Sequence, residues 1–573
     1  MRRIRSLIVV LMMAMPDLAL SEEPVYFADP NLQAAVEKKL SISWPTPADM
    51  LDLIHLDACS SGIVDLTGLK YATNLTTLNL TINQISDISP LSNLINLKTL
   101  RLHGEQISDI SALKGLTNLE YLDLSGNRIS NIYAVREMTN LVSLNLRLNQ
   151  IRDISVLSEL KNLKSLILYD NQISDISPIS GLTNLTCLFL YKNQISDISP
   201  ISGLTNLTWL KLNSNQISDI SELSSLTNLL RLGLSDNLIG DISALSNLAN
   251  LNELRLSDNL ISDISALSGL TNLTELDFNS NQISDISKLS ELTNLTRLFL
   301  FGNQFSDISA LSNLRNLKVL WLSSNQISDI SALSDLPNLA NLHLSGNTIS
   351  DISALPGLAN LTDLHIGSNT ISDIPVLKGM PNLTMLNLSR NHIGNISALS
   401  GLTNLTRLYL SYNQIGEVSA LSGLNKLRAL SLNYNQTSDV SMLSRLTNLE
   451  TLDLRNNYIS DISGLSGLTN LKYLGLLKNP LNSAAYYIYL PLIRYSRPEL
   501  TSLSLGYDPN PNPLIDDWGA ELPNLIEFTN NFGKTGCGEQ NDWCGYTDLN
   551  QSGSVDEDDF AKLLEYYFEG TER

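Results

Sequence analysis

The sequence predicts an α/β solenoid, in which short coils stack on one another, parallel β-strands line one face and tight turns line the other. Three observations predict it. A 22-residue unit recurs from Asn83 to Asn479 without insertion or deletion. Within each unit the apolar residues alternate as in a strand over one stretch and fall at intervals of three to five elsewhere. The composition is 43% apolar, 17% charged and only 6% aromatic over 573 residues. That supplies a large core, is too apolar for disorder and is too weakly charged for a coiled coil. Lys and Arg number 37 against 58 Asp and Glu, a net charge of −21, which argues against a nucleic-acid partner.

Taken in chain order, the first element is an address. Arg2, Arg3 and Arg5 precede an apolar run from Leu7 to Met15, then Pro16 and the small-residue exit around Ala19-Leu20-Ser21. Residues 1–21 therefore read as a secretory signal. The run is too short to cross ~30 Å of hydrocarbon as a helix. No later stretch reads as a membrane span, so the mature protein is expected to be secreted or held at the cell surface. Residues 22–60 read as an N-terminal helical cap, with Leu32, Val36 and Leu40 on one stripe of a helix.

Residues 61–479 carry the repeat. Leu182-Thr-Asn-Leu-Thr-Cys-Leu-Phe-Leu-Tyr-Lys-Asn193-Gln-Ile-Ser-Asp-Ile-Ser recurs almost verbatim, and with Asn as the register mark only Glu105 departs from it. A degenerate unit precedes the first mark, around Ser61 and Ile63. Around Asn215 the apolar positions are Leu207, Leu210, Leu212, Ile217, Ile220, Leu223 and Leu226. Leu210 and Leu212 alternate as in a strand; the rest fit a turn and a short 3₁₀ return. One coil cannot bury its own leucines, whereas a stack of coils makes a continuous core. The register Asn follows the strand where the chain turns inward, and its amide can satisfy backbone groups that water cannot reach. Losing such a partner costs about 1–3 kcal/mol.

This pattern, with Asn-x-Ile-x-Asp-Ile in each period, resembles the internalin-type class of leucine-rich repeats. The resemblance implies a right-handed superhelix with a concave parallel β-sheet and a ligand-binding role. Residues 480–535 then read as a C-terminal cap, from Asn479-Pro-Leu-Asn-Ser-Ala-Ala-Tyr onward, followed by the Pro/Asn linker Tyr507-Asp-Pro-Asn-Pro-Asn-Pro.

Four residues after most register marks stands an Asp, such as Asp87, Asp109, Asp153, Asp175 and Asp461, with Glu417 in the same column and Asn131 and Asn395 as exceptions. Two readings apply: an electrostatic or cation-binding stripe, or short side chains that bond backbone N–H groups in turns. The Asn exceptions favour the turn reading. The frequent Asn-Leu-Thr triplets are sequons in form that arise from the repeat itself.

In a solenoid the buried letters are fixed, so information lies in the outward strand positions, six, four and two residues before each register mark. Two aromatic concentrations stand there. One is Tyr169, Phe189, Tyr191 and Trp209, with Ile167, Cys187 and Lys211 among them. The other is Phe299, Phe301 and Trp321, continued by His343, His365 and Tyr409, a ladder at ~4.8 Å steps interrupted by Asn387. Exposed aromatics on a rigid sheet are what protein interfaces concentrate at their centres; lateral packing between strands is the alternative. Arg231, Glu253, Arg255, Glu275 and Asp277 lie between the two groups as solvated mixed charge. His343, His365 and Asp363 have the ligand types of a transition-metal site, but nothing else converges there. There are five His and four Cys, and no nucleophile–base pair, phosphate-cradling Gly loop or paired carboxylates in a cleft stand out. An enzyme is not expected.

Residues 536–573 form a second module. Asp548, Asn550, Ser552, Ser554, Asp556 and Asp559 occupy positions 1, 3, 5, 7, 9 and 12 of a calcium loop, with Gly553 at the sharp turn, Ser554 contributing its carbonyl, and a helix following from Phe560. Ser at position 5 and Asp rather than Glu at position 12 should weaken affinity, toward ~10⁻⁴–10⁻³ M. The loop and its single helix resemble half of a type I dockerin. Dockerins carry two such repeats and this tail has one, so calcium-dependent ordering is the expectation rather than docking on a cohesin. Cys537 and Cys544 could close a small disulfide in an oxidising compartment; Cys59 and Cys187 are too far apart in the stack to pair.

These features point to a secreted, non-catalytic recognition protein that binds a protein ligand on the concave sheet and takes calcium in its tail. A polysaccharide partner and a purely structural surface role remain the alternatives, and the sequence leaves the oligomeric state open.

Overall fold

The computed structural model describes residues 23–495 and 502–504. The signal segment, the Pro/Asn linker, Cys537, Cys544 and the calcium loop Asp548–Asp559 lie outside the described residues. The chain divides into two compact units, one ending at Gln304 and the other beginning at Phe305.

In the first unit, helix α1 (Pro30–Leu40) opens the described chain. Strands of three residues follow, one per repeat: β1 (His55–Asp57), β2 (Thr77–Asn79), β3 (Thr99–Arg101), β4 (Tyr121–Asp123), β5 (Ser143–Asn145) and β6 (Ser165–Ile167). They continue as β7 (Cys187–Phe189), β8 (Trp209–Lys211), β9 (Arg231–Gly233), β10 (Glu253–Arg255), β11 (Glu275–Asp277) and β12 (Arg297–Phe299). Neighbours among these twelve pair in parallel at an offset of one repeat, as in Leu56 opposite Leu78 and Leu254 opposite Leu276. Constant repeat length makes this possible, because equal coils bring equal columns into register.

The leucine columns face inward. Leu207, Leu210, Leu212, Ile217, Leu223 and Leu226 are fully buried, and Ile220 nearly so. Each such side chain contributes about 1.5–3 kcal/mol. Phe278 takes a leucine's place in the same column without leaving the core. The return path carries short 3₁₀ turns such as Ser177–Ile179 and Ser199–Ile201, as the sparse apolar spacing predicts.

Asp29 caps α1 and fastens it to the stack. Its Oδ1 accepts from the Asn31 N–H at 2.8 Å and the Leu32 N–H at 3.2 Å, while Oδ2 accepts from the Val64 N–H at 2.6 Å. Burial pushes the Asp29 carboxyl up, but these backbone donors outweigh it and hold it below the usual range. Leu32 and Val36 are buried beneath the helix; Leu40, the third residue of the expected stripe, is half-buried at its end. The sheet also starts one coil before the first register mark, since β1 lies within the segment expected as cap.

In the second unit the strands are β13 (Val319–Trp321), β14 (Asn341–His343), β15 (Asp363–His365), β16 (Met385–Asn387), β17 (Arg407–Tyr409), β18 (Ala429–Ser431), β19 (Thr451–Asp453) and β20 (Tyr473–Gly475). Strand β21 (Ser502–Ser504) pairs with β20 in parallel, so the sheet extends into the expected C-terminal cap. Helix α2 (Leu490–Tyr495) lies in that cap and buries Leu490 and Ile493. Phe305 replaces an isoleucine in the core. Thr437 does so too, and its hydroxyl donates to the Ile415 carbonyl at 3.1 Å, which makes a buried polar group tolerable there. Among the described residues, no helix is long and apolar enough to cross a membrane.

Candidate functional site: the outward strand face

The register asparagines hold the strand face in place. Asn215 Oδ1 accepts from the Ile195 N–H of the preceding coil at 3.0 Å, and its Nδ2 donates to the Leu190 and Leu212 carbonyls at 3.1 and 2.9 Å. The same set recurs along the chain, for example at Asn391. Glu105 preserves half of it: Oε1 and Oε2 accept from the Asn83 and Ile85 N–H groups at 2.7 and 2.9 Å, but no amide remains to donate. Burial raises the Glu105 carboxyl above its usual range despite these donors. The Asp column works within each coil. Asp175 Oδ1 accepts from the Ser177 N–H at 2.8 Å, and the Ser177 backbone and hydroxyl hold its pKa down. Its carboxylates thus start the 3₁₀ turns.

On the first unit's outward face, Tyr169 and Tyr191 stack with centroids 4.0 Å apart at 14°. Phe189 meets Trp209 edge-on at 4.7 Å and 77°. Cations lie over these rings. Lys211 Nζ is 5.3 Å from the Phe189 centroid and 5.1 Å from that of Trp209, the Arg231 guanidinium is 5.0 Å from Trp209, and the Arg147 guanidinium is 5.5 Å from Tyr169. Arg147 also donates to the Tyr169 hydroxyl. Burial and the Tyr169 contact push the Tyr191 phenol well above its usual range, and burial raises the Cys187 thiol, so neither ionises near neutrality. Tyr169, Phe189, Tyr191 and Trp209 are all half-buried.

Beyond Trp209 the mixed charges form a chain. Arg255 bridges Glu253 and Glu275, at 2.7 Å to each, Arg297 lies 3.5 Å from Glu275, and Arg231 lies 3.8 Å from Glu253. Asp277 is largely desolvated, which raises its pKa against the pull of the Asn279 N–H and Arg255. Phe299, expected as an exposed contact, is instead 7% exposed, and the Arg297 guanidinium lies over its ring at 5.4 Å. Phe301, two residues on, is exposed.

In the second unit the middle column brings together Trp321, His343 and His365. The Trp321 and His343 rings stack at 4.8 Å and 11°, and His343 and His365 lie 4.0 Å apart at 36°. Trp321 Nε1 donates to Asn341 Oδ1 at 3.1 Å. Burial, and then the charge His365 would carry, lower the His343 pKa to about 4 against the opposing pull of Asp363; burial lowers His365 as well. Asp363 is bonded instead by the Thr362 hydroxyl at 2.7 Å. Among the described residues, no three His, Cys, Asp or Glu side chains are placed to hold a metal ion. Asn387 and Tyr409 follow in register on β16 and β17.

Two features escape a reading confined to the strand positions. The residue before each register mark adopts a left-handed backbone, among them Ile82 (φ 57°), Lys192 (φ 55°), Tyr412 (φ 56°), Tyr434 (φ 56°) and Gly346 (φ 71°). In that column Tyr412 and Tyr434 stack at 4.1 Å and 10°, with the Arg390 guanidinium 4.5 Å from Tyr412, and both tyrosines are exposed. Their 22-residue spacing was visible in the sequence, but their backbone state was not. A second asparagine column also links coils: Asn184 Nδ2 donates to the Lys161 carbonyl at 2.9 Å, as Asn206 does to Thr183. These are the asparagines of the Asn-Leu-Thr triplets.

A family model described as leucine-rich repeats in two copies matches in successive, partly overlapping segments from residues 73–115 to 447–485. Among solved structures, an internalin from Listeria monocytogenes is 39% identical, with a TM-score of 0.56, over 57% of this chain and 98% of that one. A leucine-rich-repeat protein from Leptospira interrogans is 26% identical, with a TM-score of 0.59, over 70% of this chain and all of that one. The ectodomain of the Arabidopsis receptor kinase HAESA, in complex with an N-terminally extended IDA peptide hormone, is 25% identical, with a TM-score of 0.61, over 79% of this chain and 82% of that one. No curated protein matches the chain.

Proposed function

The chain belongs to the leucine-rich-repeat family, and from that premise we propose that it is a secreted, non-catalytic recognition protein that binds a protein ligand on the outward face of its strands and takes calcium in its C-terminal tail. One observation carries the reading. The bulky aromatics Trp209, Phe189, Tyr169 and Tyr191 stand on the outward positions of successive strands, where the leucine core does not need them. Half-buried aromatics on a rigid frame are suited to act as binding anchors, because little side-chain freedom is left to lose on association. The likeness to a receptor ectodomain in complex with a peptide hormone supports a polypeptide ligand.

Trp209→Ala and Trp321→Ala test it. Each should weaken capture of a protein ligand by about 2 kcal/mol, as interface anchors do, with an unchanged melting temperature. Undiminished affinity in both variants would remove the reading. Retention on a glycan array without protein capture would favour a polysaccharide instead. For the tail, the support is the spacing of Asp548, Asn550, Ser552, Ser554, Asp556 and Asp559. Titration calorimetry should give a calcium heat at millimolar concentration that Asp548→Ala abolishes; a flat trace for the unaltered protein would dismiss calcium.

A further inference from the structure

We propose that the face from β5 to β9 recognises an acidic, extended polypeptide segment; this deepens the strand-face reading and rests on it. Its outward positions carry Arg147, Lys211 and Arg231 and no Asp or Glu, in a chain whose net charge is −21. The carboxylates that border it are largely engaged or at the margin. Asp123 accepts from the Ser125 N–H and Asn145, Glu253 pairs with Arg255, and Asp170 and Asp236 sit at the corners beyond the strands.

The cations themselves are under-used. Among the described residues Arg147 and Lys211 have no carboxylate partner, and Arg231 reaches Glu253 only at 3.8 Å. Arg147 Nε is buried without a hydrogen-bond partner. Each cation lies over an aromatic ring; Arg147 and Lys211 are half-buried there while Arg231 is exposed, and a carboxylate binds a partly desolvated cation more strongly than one in bulk water.

The same geometry argues against a neutral sugar. A sugar ring needs a bare aromatic face, yet Phe189, Lys211 and Arg231 crowd Trp209, and Tyr169 is taken by Tyr191 and Arg147. From β5 to β9 is four inter-strand steps, about 19 Å, a span that about six residues of extended peptide would cover. Ile167 and the edge of Phe189 lie between the charges as apolar contacts for side chains alternating with the acids.

Fluorescence anisotropy on the full chain tests this with a short labelled peptide alternating Glu and Leu, its Gln-for-Glu counterpart, and heparin. The Glu peptide should bind, the Gln peptide about tenfold more weakly, and Lys211→Gln and Arg147→Gln should each weaken the Glu peptide by about tenfold. Affinity should fall as salt rises, with unchanged melting curves for both variants. Equal binding of the two peptides, no binding by the unaltered chain, or heparin binding that the Glu peptide does not displace would each overturn the proposal. If Trp209→Ala abolishes capture of a protein ligand while Lys211→Gln spares it, the acidic partner is wrong and the strand-face reading stands; if Trp209→Ala, Trp321→Ala and Lys211→Gln all leave capture unchanged, both fail.

Discussion

The aromatic group on β6 to β8 is spread over all three outward columns, whereas the Trp321–His343–His365 run on β13 to β15 keeps to the middle one, and their chemistry differs as well. In the first, the cations Lys211, Arg231 and Arg147 lie over the rings. In the second, the neighbours along the column are imidazoles kept neutral by burial. The repeat fixes where a side chain stands, and the occupant of the same column one coil away decides what it can do. One group is therefore a basic surface, while the other is a run of imidazoles whose charge depends on pH.

The largest expected difference between them is with pH. A histidine whose folded pKa lies below its unfolded value takes up its proton more readily when unfolded. The stability tied to His343 is thus complete above about 6.5, falls as pH drops toward about 4, and levels off below. Allowing for the solvent that reaches a half-buried ring, the loss is about 1–2 kcal/mol. Thermal melts of the unaltered chain and of His343→Gln should diverge across that window, and Trp321 fluorescence should change with them as the stacked ring charges. Parallel pH profiles would show that His343 is not the titrating group. Trp209 emission should stay flat over the same range, since Phe189, Lys211 and Arg231 rather than an imidazole lie against its ring.

Most of the frame was legible in the sequence because it depends on spacing alone. Leu210 and Leu212 face inward because strands alternate, and Asn215 bridges coils because its short amide both accepts from the Ile195 N–H and donates to the Leu190 carbonyl. The aromatic columns were legible for the same reason. Phe299 was not, because its exposure depends on the side chains around it, Arg297 over its ring among them, rather than on its own position. Tyr412 and Tyr434 were missed because the left-handed turn before each register Asn belongs to the backbone, and residues as unlike as Ile82, Lys192 and Tyr434 adopt it. The glycines in that column, Gly104, Gly126, Gly302 and Gly346, with Asp170, Asp236, Asp258 and Asn456, hint at it in the sequence.

That corner provides a smaller contrast between the same two regions. After β7 it is occupied by Lys192 at φ 55°, whereas after β14 it is occupied by Gly346 at φ 71°. A side chain in the left-handed region costs about 1 kcal/mol or more relative to glycine, because Cβ crowds the following carbonyl. Lys192→Gly should therefore stabilise its region by about 1 kcal/mol, less what the unfolded glycine gains in freedom. Gly346→Ala should destabilise its own by at least as much, since a Cβ there would stand 3.2 Å from Ser324 Oγ. Urea unfolding of the two variants measures both, and a shift of the same sign in each would mean that the stacked coils, rather than the residue's own φ, set the energy of the turn.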